Sequence, residues 1–409
     1  MKLLLIIIIL FNLTIIFCAN DIKFAAIIYR HGDRTPVKPY PTDPWRNESL
    51  WPVKFGQLTN IGKRQHYHFG QWLRQRYSHL LSTKFDPSQV YIKSTDVDRT
   101  LMSAQANLAG MYPPVGDSVW DTHLMWQPIP VHTVPEREDE ILAMKKDCPV
   151  YDTEKAKMLN SKEYKEKLKT YQWLLNFLTH YTGSNIRDFN NIEYIYNTLY
   201  IESLYNFTLP DWTKTIYPDK MEKPACYSFT VSTGTPLLAR LKVGPLLKEI
   251  LKHIENVINK GHTSSDLKLS LYSAHDDTVG SVLNALNIFD NKCPVYTSAI
   301  IIEVVDDNSS GSDFIRISYR NFTGIEEPHV LNIPNCGKMC PIPTFKKLYN
   351  NLLTVSWEKE CGLDVRYAVR ASAEQVGAPA RSAPAPHIPI GDTQVYTTQH
   401  LTFVHFTLN

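Results

Sequence analysis

The chain has 409 residues, long for one simple domain, which suggests a large core with an insertion or a second lobe. It is 43% hydrophobic, 11% aromatic and 21% charged, a globular composition, and its net charge of +2 leaves no basic excess of the kind that binds nucleic acid. Basic residues that carry function must therefore act locally.

Lys2 precedes an apolar run, Leu3 to Phe17, broken only by Asn12 and Thr14 and followed by the small residues Cys18 and Ala19. Residues 1–19 read as a secretory signal, cut after Cys18 or Ala19. The alternative is an uncleaved anchor, but the run is shorter than the ~20 apolar residues that span a bilayer. No later stretch is long and apolar enough to span one, so a soluble exported protein is expected, without a membrane span in the mature chain.

Phe24-Ala25-Ala26-Ile27-Ile28-Tyr29 reads as a buried strand that runs into Arg30-His31-Gly32-Asp33-Arg34-Thr35-Pro36. Two guanidinium groups and an imidazole packed so closely repel one another unless an anion sits among them. A phosphate satisfies all three. The competing reading pairs Arg30 and Arg34 with Asp33 and surface acids.

Pro39 to Phe55 has no periodicity and reads as an ordered loop. Thr59 caps a helix whose Phe69, Trp72, Leu73, Tyr77, Leu80 and Leu81 fall on one face; Arg74 and Arg76 lie beside polar residues, either solvated or edging a pocket. Val90-Tyr91-Ile92 is a strand leading into Ser94-Thr95-Asp96-Val97-Asp98-Arg99-Thr100 and a helix from Leu101 to Ala109. Strand, helix, strand, helix is an α/β signature. The proline-rich crossing at Pro128, Pro130 and Pro135 then gives way to a lysine- and glutamate-rich helical stretch over 153–181, with Tyr164, Leu168, Tyr171, Leu175 and Leu178 on one face. No strand is evident between 136 and 225. The expected organisation is an α/β domain of 20–127 and 236–361 interrupted by a mainly helical insertion, 128–235. The α/β pattern resumes with Pro245 as a first helical residue, an apolar stripe from Leu247 to Ile258, and Gly261 as the stop. Leu267 to Tyr272 alternates as a strand, then come Ser273-Ala274-His275-Asp276-Asp277-Thr278 and a helix from Val279 to Leu286. Ser298–Val305 and Phe314–Tyr319 form a hairpin. The alanine-, proline- and serine-rich residues 362–409 read as a tail with little structure of its own.

Beyond Cys18 there are six cysteines: Cys148, Cys226, Cys293, Cys336, Cys340 and Cys361. An even number in an exported chain favours disulfides. Cys336 and Cys340 either close a small loop or, less readily, belong to a zinc site. Asn47, Asn206, Asn308 and Asn321 stand in Asn-x-Ser/Thr acceptors for glycosylation.

Arg30-His31 with Arg34, Arg99, and His275-Asp276 each follow a strand. In open α/β sheets ligands bind outside the carboxyl ends of strands, so these distant clusters can share one pocket. The bland reading of His275-Asp276-Asp277 is a helix cap, and His132 reads as an ordinary loop or core histidine.

The three ordered motifs resemble the histidine acid phosphatase family, most of all its animal prostatic and lysosomal members. Phe55-Gly56-Gln57-Leu58-Thr59, the stretch Trp126 to Pro135, and Asn206-Phe207-Thr208-Leu209-Pro210 resemble it too. The likeness runs from about Phe24 to Cys361. It implies a phosphoglycerate-mutase-like fold: a large, mostly parallel-sheet α/β domain with helices on both faces and a smaller helical inserted domain. It implies hydrolysis of phosphate monoesters through a phosphohistidine on His31, with Arg30, Arg34, Arg99 and His275 binding the phosphate and Asp276 protonating the leaving alcohol. No metal or other cofactor is implied, because the arginines neutralise the phosphoryl charge. A homodimer, and a secreted or lysosomal location, are further implications. So are the disulfides Cys148–Cys361 and Cys336–Cys340, which leave Cys226 and Cys293 as a third pair. The chain departs from the family in having no membrane-spanning tail, and in holding Ile201 and Ala299 where relatives pair two cysteines. Three alternatives within the same chemistry are a phosphatase restricted to inositol phosphates, to lysophosphatidic acid or to phosphotyrosine; one outside it is a secreted binding protein that no longer turns over.

Overall fold

The computed structural model describes residues 22–259, 267–307, 312–322, 324 and 327–363. The expected signal, the helix stop at Gly261, the acceptor Asn308 and the tail beyond Leu363 lie outside them. Seven strands form one sheet: β1 (Ile22–Arg30), β2 (Val90–Ser94), β3 (Leu269–Ala274), β4 (Ala299–Asp307), β5 (Ser312–Arg320), β6 (His329–Val330) and β7 (Cys340–Pro341). Their order is β2-β3-β1-β4-β5-β6, with β7 also on β5. β2, β3 and β1 run parallel, whereas β4 to β7 extend the sheet in antiparallel fashion.

The centre of the sheet explains why its strands are apolar at every position. In β1, Ala25, Ile27 and Tyr29 face one cluster, which includes Phe69, Leu73, Ala104 and Leu108 of helices α1 (Asn60–Arg76) and α2 (Asp98–Met111). Phe24, Ala26 and Ile28 face a second cluster, fed by a long helix over Pro236–Asn259 and another over Asp276–Ala285. With helices on both faces, neither side of the strand meets water. The same holds for β3: all of its residues are buried, so the alternation read in its sequence does not correspond to a wet face.

No strand lies between 136 and 225, where the chain is helical. Its stretch over 153–181 is three helices: α3 (Pro149–Asn160), α4 (Lys162–Lys169) and α5 (Gln172–Thr182). Ser161 breaks the first from the second and caps it, accepting from the Tyr164 N–H at 3.2 Å. Helices α6 (Phe189–Leu204) and α7 (Asp219–Val231) follow. Leu175, Leu178, Phe189, Ile192, Leu199 and Met221 share a buried cluster in which Tyr40, from the 39–55 loop, also packs.

The long helix, α8, starts at Pro236, so Pro245 lies inside it and is not its first residue. A proline there removes the N–H that the carbonyl four residues earlier would accept. That carbonyl, on Leu241, instead accepts from the Trp357 indole at 3.0 Å. Trp357 opens the last of three short helices, α10 (Ile342–Leu348), α11 (Asn350–Leu353) and α12 (Trp357–Glu360), which come after α9 (Asp276–Ala285). Three disulfides are formed: Cys148–Cys361, Cys226–Cys293 and Cys336–Cys340. No helix among the described residues is long and apolar enough to cross a membrane.

Candidate active site

The register of the parallel strands brings the motifs together. Arg30 of β1 sits beside Ala274 of β3, and Ser94 of β2 beside Ser273. The residues that follow, His31, His275 and Thr95, therefore leave the sheet side by side at its carboxyl edge. The ladder continues a step further, with His31 N–H donating to Ala274 C=O at 3.0 Å and Thr95 N–H to Ser273 C=O at 3.1 Å. Beyond the strand, Gly32 lies directly on Gly62 of α1: a Cβ on Gly32 would stand 2.5 Å from the Gly62 carbonyl oxygen. Glycine is required there by contact.

His31 is buried. Its Nδ1 is 2.8 Å from the Gly32 carbonyl. A carbonyl only accepts, so Nδ1 carries the proton and Nε2 keeps its lone pair. Burial, then Arg30, Arg99, Arg34 and His275, push the imidazole well below its ordinary value, so it stays neutral in acid. The Nε–H groups of Arg30, Arg34 and Arg99 are buried and have no hydrogen-bond partner among the described residues. Arg99, in the first turn of α2, is lowered to about 10 by burial and by Arg34 and Arg30. These are guanidinium groups short of an anion.

Arg30 Nη1 donates to Pro294 C=O at 2.5 Å, and Nη2 lies 2.7 Å from Asp276 Oδ2. Arg34 donates to Thr35 C=O and to Asn197 Oδ1 of α6, each at 3.1 Å. Neither arginine forms an ion pair with Asp33 among the described residues. Asp33 instead accepts from the Thr59 hydroxyl at 2.5 Å and the Tyr205 hydroxyl at 2.9 Å. His275 precedes α9 and meets the Thr95 hydroxyl through Nε2 at 3.0 Å; burial and Arg99 push its ring down as well. Burial pushes Asp276 up, but Arg30, Arg34, His275 and the Asp277 N–H outweigh it and hold the carboxyl below its ordinary value.

Other sequence candidates sort clearly. Asp277 pairs with Lys242 at 2.9 Å and is a helix-start acid. His132 stacks on Tyr91 along the edge of β2. Arg74 and Arg76 are neither solvated nor at the pocket: Arg74 donates to Ser82 C=O, and Arg76 pairs with the fully buried Glu303. Asn47 and Asn206 are exposed, whereas the amide of Asn321 is engaged with Val295 N–H and Cys293 C=O. Several contributors carry no motif in the sequence. Tyr296 holds Arg30 over its ring at 4.4 Å, His66 Nε2–H donates to Arg30 C=O at 3.1 Å, and Ser103 accepts from Gly32 N–H at 3.1 Å. Glu193 of α6 lines the same cavity as Arg30 and Asp276.

A neutral imidazole with a free nitrogen, set among unsatisfied guanidinium groups at the carboxyl edge of an α/β sheet, has the chemistry to bind an oxyanion and to attack it. The chain belongs to the histidine phosphatase superfamily (branch 2), whose family model matches residues 21–320. It is 38% identical over 361 residues to lysosomal acid phosphatase of Xenopus laevis, covering 87% of this chain and 82% of the relative. It is 39% identical over 348 residues to human prostatic acid phosphatase, covering 84% and 88%. Among solved structures, apo phytase of Hafnia alvei matches with a TM-score of 0.62 at 19% identity, over 84% of this chain and 99% of that one. At that identity the likeness speaks for the fold.

Proposed function

We propose that the protein is an acid phosphatase that hydrolyses phosphate monoesters through a phosphohistidine. The observation that carries this reading is the neutral His31, its Nδ1 engaged and its Nε2 free, in the field of three arginines whose buried N–H groups lack partners among the described residues. Arg30, Arg34 and Arg99 take the non-bridging phosphoryl oxygens, with His275 adding a hydrogen bond; their planar forks stay charged in acid. His31 Nε2 attacks phosphorus, the P–O bond to the alcohol breaks, and Asp276 gives its proton to the leaving oxygen. Water then attacks phosphorus, Asp276 takes a proton from it, and the P–N bond breaks to release phosphate. In the empty site Asp276 is ion-paired with Arg30. A phosphate that draws on Arg30 removes that restraint and lets the carboxyl hold a proton, so substrate binding arms the acid. The arginines supply the neutralisation that a divalent cation supplies elsewhere, which supports turnover without a metal.

The disulfides and the relatives support a secreted or lysosomal setting, with Asn47 and Asn206 as the better-exposed glycan acceptors. The test is p-nitrophenyl phosphate hydrolysis at about pH 5, with and without EDTA, for the wild type and His31→Ala. Wild-type turnover that is indifferent to EDTA and lost in His31→Ala is expected, together with a trapped phosphoenzyme stable in base. Equal rates for the two proteins would show the site to be a binding pocket only.

A further inference from the structure

The cavity beside the arginine cradle has a volume of about 190 Å³, with Arg30 and Asp276 on one side. Its other wall comes from the insertion: Glu193, Tyr196 and Tyr200 of α6, and Glu222 and Phe229 of α7. Arg30 is its one basic residue among the described residues. Glu193 makes no hydrogen bond or ion pair among them. The charged groups around it are Asp276 and Asp277 of α9 and Arg30 and Arg34 of the first motif. Burial, then Asp276, outweigh the arginines, and Glu193 keeps its proton far above the usual carboxylate range.

Charge balance turns this into a statement about substrate. A bound phosphoryl group occupies the arginine donors and uses their charge. Asp276 then holds the proton it gives to the leaving oxygen, and Glu193 and Glu222 face a cavity with no free cation, walled by aromatic rings.

Resting on the phosphatase reading above, we propose that this cavity is a leaving-group subsite for phosphomonoesters of small amino alcohols. The phosphoryl group lies in the arginine cradle, and the ammonium group lies between Glu193, Glu222 and the rings of Tyr196, Tyr200 and Phe229. Aromatic faces attract ammonium groups, and carboxylates pair with them. An ammonium seated against Glu193 displaces its proton. An alcohol bearing a second anion finds the Glu222 carboxylate and no free cation there, which disfavours inositol polyphosphates. The volume lies below the ~300–1,000 Å³ of clefts that hold drug-sized ligands, so the alcohol is small.

The test compares kcat/KM for phosphoethanolamine and phosphocholine with glycerol 2-phosphate, whose alcohol is neutral, and 3-phosphoglycerate, whose alcohol is anionic. It uses the full chain as wild type, E193Q, E222Q and the double variant, with the ratio of cationic to neutral ester read within each protein so that a general loss of activity cancels. The wild type is expected to rank the esters cationic, neutral, anionic, and the double variant to lose about tenfold of the cationic-to-neutral ratio, mainly through KM. A ratio unchanged by the variants, or a wild type that prefers 3-phosphoglycerate, overturns the subsite; the wild-type ranking decides even if a variant fails to fold. A wild type inert towards every ester, p-nitrophenyl phosphate included, overturns the phosphatase reading itself.

Discussion

In the mechanism proposed above Asp276 has two parts to play, and they pull in opposite directions. With the site empty it is the counter-ion of Arg30 at 2.7 Å and is held ionised. As a proton donor it must be neutral. The resolution lies in Arg30, whose guanidinium can serve the carboxylate or the phosphoryl oxygen. Replacing Asp276 with Asn keeps the shape but leaves no proton to give. The leaving group then matters: a nitrophenolate departs unaided, an alkoxide does not. Asp276→Asn is expected to lower kcat by about 10²–10⁴ on glycerol 2-phosphate and by much less on p-nitrophenyl phosphate, measured in steady state. A uniform loss on both esters would instead mark Asp276 as the Arg30 counter-ion alone.

At the level of elements, what was legible in the sequence depended on how local the signal was. Arg30-His31, Arg99 and His275-Asp276 were legible because each follows within a few residues a strand whose apolar run announces it. The strands' adjacency followed from the general rule for α/β sheets. Tyr296 and Glu193 were not legible. They reach the site only through the way an irregular segment and the helix α6 dock, and neither carries a local pattern. Pro245 misled for the opposite reason: its local meaning, a helix start, is overridden by a bond from a residue more than a hundred positions away, the indole of Trp357 on Leu241 C=O. Trp357→Phe keeps most of the packing and removes that donor. It is expected to destabilise the protein by about 1 kcal/mol, seen as a shift of the denaturant midpoint at unchanged slope. No change would mean that water replaces the indole at the proline.

For the molecule as a whole, one buried carboxyl pair favours acid, while His31, His66 and His275, held neutral by burial, oppose it. Glu202 of α6 and Asp43 of the 39–55 loop are both buried and face each other, and burial followed by Asp43 pushes Glu202 far up. The folded state therefore binds a proton that the unfolded chain releases above 4.5, the ordinary value for this group. Its contribution is complete below that pH and is lost as the pH rises toward the raised value. Between about pH 5 and pH 8 the Tm of Glu202→Gln is expected to rise relative to that of the wild type, in thermal melts of both across the range. A parallel slope in the variant would place the dependence elsewhere. The sheet adds a consequence for biosynthesis. β1 is paired on one side with β3, beginning at Leu269, and on the other with β4, beginning at Ala299. The strand that presents His31 is among the first made, yet both its neighbours emerge from the ribosome only after most of the chain. Until then His31 has no floor and no cradle. The site is thus incomplete until about three quarters of the chain has been made, and it is assembled only when the two distant strands pair with the first.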